Sequence, residues 1–524
     1  MAFSGKNISK VTAGRSHSAA WATSADTSSS LGESEPFSTV PAQYTALHGI
    51  PNHRLRDRLL LLNNFSNLIY SSWRLFNLQP NSSDLGTVNS GEKCITSSAM
   101  RSILSPRVFT LPLVRTIGKT MVQGKNYGPQ IVVKRIAIGG KKRPKTIFSQ
   151  ISSQVVKLKP ADLRLPARAW KVKLIGEGAD DAGGVFDDTI TEMCQELQSD
   201  VSDLLIPTPN SLNDIGYNRD RYLLNPNLSD EEHMQQFKFL GILLGVAVRT
   251  KKPLDLHLAP AIWKLLAGLS LTPEDIEETD VLYMSSIRGI RDIDEQGVNE
   301  HNFHEVIPIT CFESQSSDGQ YVPILPGGKS MPLTFHNRKE YVERALLYRM
   351  NEFCKQAEAV RSGMASIIPL PILSFYTAER LEQLVCGIPE ISVSLLKQVA
   401  RYREIEEGHR LIQWLWETIE CFTNAERILF LRFVCGRSRL PVNLTDIGQR
   451  LQIIRVDKDE DTLPTSQTCF FQLRIPNYSS QAVMAEKLRY AILNCRSIDM
   501  DNYMLTRNTD NTMEVEEEDD SIQG

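Results

Sequence analysis

At 524 residues with 41% hydrophobic content, the chain is long enough for two to four compact units with real cores. A net charge of −4 argues against nonspecific nucleic-acid binding, which needs a concentrated basic face. Nine cysteines show no CxxC pair and no regular spacing, so neither a disulfide scaffold nor a zinc site is indicated, no metal or other cofactor is expected, and a reducing, cytoplasmic setting suits them best.

Residues 1–22 contain Val11-Thr-Ala-Gly-Arg-Ser-His-Ser-Ala-Ala-Trp21, which resembles one blade of the seven-bladed propeller found in regulators of chromosome condensation. One blade cannot bury its own faces, so the stretch reads as a propeller remnant or else as a disordered terminus. Lys6 and Lys10 are followed by polar residues, and no signal peptide is expected. Residues 23–52 are rich in Ser and Thr and read as a disordered linker. Across 53–78, Leu55, Leu59, Leu62, Ile69, Trp73 and Phe76 recur near helical spacing behind Arg54, Arg56 and Arg58. That predicts an amphipathic helix packed on the following domain in preference to one lying on a membrane, because arginines at a helix start oppose the macrodipole. Residues 79–129 return to Ser, Asn and Gly and read as an irregular linker.

Ile131 to Ile138 reads as a strand followed by a basic turn through Lys145. The glycines of Gly176-Glu-Gly-Ala-Asp-Asp-Ala-Gly-Gly184 invite a phosphate-loop reading that fails on charge, since Glu177, Asp180 and Asp181 repel phosphate and no Gly-Lys-Ser/Thr follows. Phe237 to Arg249 is apolar almost all round and predicts a core helix. Its apolar run, Phe239 to Val248, is far short of the roughly 20 residues a membrane span needs. His257 reads as a core or edge histidine. Residues from about 271 to 333 are shorter in pattern and more polar, which suggests a small subdomain in which Tyr283, Ile287 and Ile290 stand out as apolar positions. His301 and His304 have no third ligand nearby and read as a solvated loop. A long helix is expected from Asn337 through Arg361 and a short one from Glu379 to Cys386.

The charged stretch 403–409 lies between helical patterns and is read as a hinge, against an ordinary helix connection. Leu411, Leu415, Ile419 and Phe422 share one helical stripe, a second helix is expected over Arg427 to Gly436, and Leu451 to Val456 reads as a strand. An acidic turn, Asp457 to Asp461, then leads to Leu463-Pro-Thr-Ser-Gln-Thr-Cys-Phe-Phe-Gln-Leu-Arg-Ile-Pro-Asn-Tyr-Ser-Ser480. Pro464 among Thr and Ser predicts an exposed turn before Cys469. Phe471, Leu473 and Ile475, alternating with Gln472 and Arg474, predict a half-buried strand after it. Met484, Leu488, Ala491 and Cys495 mark a last helix started near Ser480, and Glu514 to Asp520 is a solvated acidic tail.

The Leu-Pro-Thr-Ser-x-Thr-Cys-Phe run with its following Pro-x-Tyr-Ser-Ser resembles the catalytic-cysteine loop of HECT-type ubiquitin-protein ligases. With the propeller remnant in front, the chain resembles the carboxyl-terminal part of a giant HERC protein. The resemblance implies an α+β, bilobal fold. A mostly helical amino-terminal lobe (130–402) would carry a small conjugating-enzyme-binding subdomain (about 271–333), joined by the hinge (403–409) to a smaller α/β carboxyl-terminal lobe (410–505) and an acidic disordered tail (506–524). It implies that Cys469 accepts ubiquitin from a conjugating enzyme as a thioester and passes it to a substrate lysine. Gln467, Thr468 and Phe470 would support the catalytic loop, and Tyr283, Ile287 and Ile290 would form the docking groove.

The implied partners are ubiquitin, a ubiquitin-conjugating enzyme and protein substrates, with no nucleic acid. Departures are visible at Gln467, where relatives usually have His, at Phe471, where they often have Asn, and at Val185-Phe-Asp-Asp188, where Arg-Glu normally follows the Gly pair. Tyr503-Met-Leu505 could stand in for a large apolar residue near the end of relatives. Two rival readings are a catalytically weak binding module with the same fold and a cysteine hydrolase, the latter weakened by the missing imidazole. Thioester exchange is nearly isoenergetic and needs only a thiolate, of which an unperturbed cysteine supplies a few per cent near pH 7.

Overall fold

The computed structural model describes residues 8–13, 18–22, 50–72, 127–135, 145–175, 184–368, 375–388, 390–437 and 450–494, with isolated residues between them. The Ser/Thr linker, the Gly-rich stretch from Gly176 through Gly183, Tyr503 to Leu505 and the acidic tail lie outside this set. In chain order the elements are strands β1 (Ile8–Ala13) and β2 (Ser18–Ala22), helix α1 (Asn52–Ser72), strand β3 (Gln130–Val133), helix α2 (Ile147–Val155), strand β4 (Lys171–Leu174), helix α3 (Gly184–Leu197), strands β5 (Leu205–Pro207) and β6 (Tyr222–Leu224), and helices α4 (Glu231–Thr250), α5 (Pro260–Leu266), α6 (Pro273–Glu277) and α7 (Val281–Arg291). Then come strands β7 (Glu313–Gln315) and β8 (Tyr321–Pro323) and helices α8 (Arg338–Asn351), α9 (Cys354–Ile367), α10 (Ala378–Cys386) and α11 (Val393–Val399). Strand β9 (Ala400–Arg403), helices α12 (Arg410–Cys421) and α13 (Asn424–Cys435), strands β10 (Leu451–Arg455), β11 (Thr465–Gln467) and β12 (Gln472–Ile475), and helix α14 (Gln481–Asn494) are the last elements among the described residues. Helices and small sheets together make an α+β fold. No helix among the described residues is long and apolar enough to cross a membrane.

The chain divides into two compact units, one of residues 1–121, 207–229 and 258–382 and one of 122–206, 230–257 and 383–524. In the first, β1 and β2 form an antiparallel hairpin, and α1 turns Leu55 inward while Leu61 and Leu68 stay exposed. Helices α6, α7 and α8 enclose a core that contains Ile276, Tyr283, Ile287, Ile290, Phe312 and Tyr341. The single long helix expected from Asn337 is two helices. The break falls at Glu352 and Phe353, where the Glu352 carboxylate accepts from the Ser317 N–H at 3.0 Å and from its hydroxyl, and Phe353 is buried at φ −92° and ψ 0°.

In the second unit, β3 and β4 pair in parallel, and Phe148, Trp170, Phe186 and Phe239 from α2, the segment before β4, α3 and α4 stack tilted or edge-on with centroids 5.0–6.1 Å apart. Helix α4 realises the predicted core helix: Asp230 caps its start through the His233 N–H, and Lys251 ends it in the left-handed conformation. The β3 strand stops at Val133, short of the Ile138 expected.

A four-stranded sheet of order β11-β12-β10-β9 forms the other half of this unit, with β9, β10 and β12 parallel and β11 antiparallel at one edge. Strand β9 falls across the lobe boundary drawn at 402/403. Ala400 to Arg403 pair with Leu451 to Ile454, and Ile391, Leu396 and Val399 join the same core, so this body begins before the segment read as a hinge. The residues after Arg403 form a turn that ends at His409, the N-cap of α12, whose Nδ1 accepts from the Leu411 N–H at 3.1 Å.

Candidate active site

Cys469 sits at the tip of a β-hairpin. The sequence predicts an exposed turn on its upstream side, yet Thr465 to Gln467 form the edge strand β11, paired Thr465 to Arg474, Ser466 to Leu473 and Gln467 to Gln472. Pro464 does not prevent this because it precedes the strand, and an edge strand leaves one side of its ladder unpaired. Thr468, Cys469 and Phe470 then make one 3-10 turn, and Phe471 follows at φ 49° and ψ 55°, the left-handed region. That conformation reverses the chain into β12. The Phe471 N–H donates to the Thr468 carbonyl at 3.3 Å, and its own carbonyl accepts from the Gln452 N–H of β10 at 2.9 Å. The Phe471 ring is 4% exposed within the core, whereas Phe470 next to the cysteine is 52% exposed and Gln467 and Thr468 are half-buried. The side chain of Cys469 lies outside the described set.

The lead-in to the hairpin is clamped from the far side. Tyr478, 5% exposed, donates its hydroxyl to the Thr462 carbonyl at 2.9 Å, and burial pushes its phenol well above the ordinary range. Lys487 Nζ reaches the Asp461 carbonyl at 3.3 Å, the Ser479 N–H reaches Glu460 Oε2 at 3.2 Å, and the Asn477 N–H reaches the Lys458 carbonyl at 3.2 Å. The acidic turn is therefore held at several points. Helix α13 packs behind β11 and the cysteine turn, opened by a capping box in which Thr423 and Glu426 satisfy each other's backbone N–H. Gln467, Thr468, Phe470 and Phe471, the four residues flanking Cys469, are all neutral, so the local sequence supplies a shaped backbone and no charged base.

The HECT-domain (ubiquitin-transferase) family matches residues 191–501, more than half of the chain. The chain belongs to this family. It is also 40% identical over 516 residues, 96% of its length, to the E3 ubiquitin-protein ligase HERC2 of Mus musculus and to that of Homo sapiens, and it spans about a tenth of the length of each. The E3 ubiquitin-protein ligase pub1 of Schizosaccharomyces pombe is 30% identical over 284 residues, 52% of this chain and 36% of the relative. The expected giant HERC kinship thus has support, the matched relatives being HERC2 proteins.

Within this HECT chain the three expected docking positions lie inside the fold. Tyr283, Ile287 and Ile290 are 7%, 3% and 4% exposed and fill the core between α7 and α8. The Tyr283 hydroxyl is fully engaged inside, near Ser314 Oγ at 2.9 Å and donating to the Ala345 carbonyl at 3.1 Å. Their helical spacing signalled burial, which core packing explains without a partner. Sequence reasoning missed the Tyr478 clamp and the left-handed role of Phe471, although the departure at Phe471 was visible. The departure at Val185 to Asp188 also has a structural counterpart. Buried Asp187 holds Arg437 (3.1 Å) and Lys252 (2.5 Å), and buried Asp188 holds Arg135 at 2.6 Å.

Proposed function

We propose that this chain is a ubiquitin-protein ligase that forms a thioester on Cys469. The Cys469 thiolate attacks the carbonyl of ubiquitin bound as a thioester to a conjugating enzyme, and the enzyme's own thiolate leaves. A substrate lysine amine then attacks the new thioester, the Cys469 thiolate departs, and the amine proton passes to solvent. One sulfur ester is exchanged for another and then for a more stable amide, so no nucleotide is consumed on this polypeptide. The observation that carries the reading is the hairpin-tip turn, in which the residues on both flanks of Cys469 are fixed by strand pairing and by the clamp from Tyr478. The HERC2 proteins it resembles bear the name E3 ubiquitin-protein ligase.

The remaining expectations follow as part of the same proposal. Ubiquitin, a conjugating enzyme and protein substrates are the partners, and nucleic acid is not. Docking of the conjugating enzyme falls to exposed side chains of the 271–333 segment, such as Leu282 at 49% exposure, in place of the buried trio. The proposed lobes keep the expected order, with α11 and β9 transferred to the carboxyl-terminal one, and Gln467, Thr468 and Phe470 act as loop support. Free thiols at Cys194, Cys386 and Cys435 suit a cytoplasmic location.

Incubation with activating enzyme, a panel of conjugating enzymes and labelled ubiquitin tests the central step. A reductant-sensitive adduct that disappears in Cys469→Ala is the expected result. No adduct across the panel would favour a binding module, and cleavage of ubiquitin fusions without ATP would favour a hydrolase.

A further inference from the structure

Phe471 combines two properties that rarely coincide. Its backbone occupies the left-handed region at φ 49° and ψ 55°, where a side chain with a Cβ is disfavoured and a β-branched one is excluded more strongly. Its ring is nonetheless 4% exposed, in the same core as Leu473 and Ile475, which follow it at the strand period of two. Both of its backbone polar groups are engaged as well, through Thr468 on one side and Gln452 on the other. A residue placed there only to fill volume could do so from an extended backbone, continuing β12 upstream. The left-handed step instead closes the turn that contains Cys469.

We propose that Phe471 is a positioning residue for thioester formation: the buried ring holds its own backbone left-handed, and that conformation sets the Thr468–Phe470 turn in which Cys469 meets the incoming carbonyl. This rests on Cys469 being the ubiquitin acceptor. Leucine and isoleucine differ little in volume and apolarity but greatly in tolerance of a positive φ, so they separate conformation from packing.

The test uses the full 524-residue chain. Single-turnover charging by a conjugating enzyme should remain within about threefold of the parent in Phe471→Leu and fall about tenfold or more in Phe471→Ile, at matched melting temperatures. Phe471→Gly should charge faster than Phe471→Ala, although glycine is the smaller residue. Equal rates for Leu and Ile, or charging that follows side-chain volume through Leu, Ala and Gly, would overturn the proposal. Alkylation of Cys469 by iodoacetamide, read on its own peptide by mass spectrometry, should follow the same order and needs no ubiquitin. If the parent fails to charge but the alkylation order holds, the acceptor reading fails and takes the role in thioester formation with it, while the control of the turn's shape by Phe471 stands. If the parent charges and neither order holds, the positioning role fails alone.

Discussion

Glu192 shows how one half-buried group can set a pH dependence that has nothing to do with the cysteine. It lies on α3 with Asp188 one turn away, and Arg135 Nε approaches its carboxylate at 3.3 Å. Burial, then the charge of Asp188, pushes its pKa up to about 7, with Arg135 only partly opposing them. A folded-state value above the ordinary 4.5 means that the folded protein holds a proton more tightly than the unfolded chain. Stability from this site is therefore lost as pH rises from about 4.5 to about 7. Glu192→Gln, which stays neutral, should leave the melting temperature near the parent value at pH 4.5 and raise it by about 2–4 °C at pH 8. Melting curves at the two pH values check this, and an equal shift at both would show that the carboxyl group is not the cause.

Helix α13 is the element on which the cysteine turn leans, and its stability starts at its first turn. Thr423 accepts from the Glu426 N–H, Glu426 accepts from the Thr423 N–H at 2.8 Å, and the same carboxylate takes Arg489 of α14 at 2.9 Å. Thr423→Ala removes half of the capping box and should lower stability by about 1 kcal/mol in urea unfolding. A loss under a few tenths would mean the cap is satisfied by water. The legibility of such elements in the sequence follows from their physics. Helices α4, α12 and α13 were readable because Leu, Ile and Phe repeat at helical spacing, and Ser480 announced α14. Strand β11 was not, because Thr, Ser and Gln at a sheet edge carry no apolar alternation, and neither was β9, whose Arg401 and Arg403 made it look like a charged connector. The strand after Cys469 was legible in the alternation of Phe471, Leu473 and Ile475, whereas the clamp from Tyr478 joins residues sixteen apart through a backbone carbonyl and leaves no pattern to read.

Across the second unit as a whole, Asp187 joins parts of the chain that the sequence assigns to different lobes. Helix α3 belongs to the 130–402 region and Arg437 to the 410–505 region, yet Asp187 takes Nε and an Nη of Arg437 at 3.1 Å each, together with Lys252, and the Thr191 hydroxyl donates to the Gly436 carbonyl at 2.8 Å. A little further on, Arg439 donates to Asp255 at 2.8 Å. Burial by itself would raise the Asp187 pKa, but Arg437 and Lys252 outweigh it and hold the carboxyl below its ordinary range. Since the folded value lies below the unfolded one, this stabilisation is present above the ordinary carboxyl pKa and is lost as pH falls through the lower folded value. Asp187→Asn at neutral pH leaves a half-buried guanidinium and ammonium without their counter-charge, and a loss of about 3 kcal/mol is expected. Adding Arg437→Met should recover part of that loss, because one orphaned charge is then gone and an apolar side chain of similar reach replaces it. Urea unfolding of the parent, both single variants and the pair measures the coupling directly. Strict additivity would show that Asp187 and Arg437 act independently, and the joint between α3 and the end of α13 would then have to rest on the Thr191 hydroxyl and on packing.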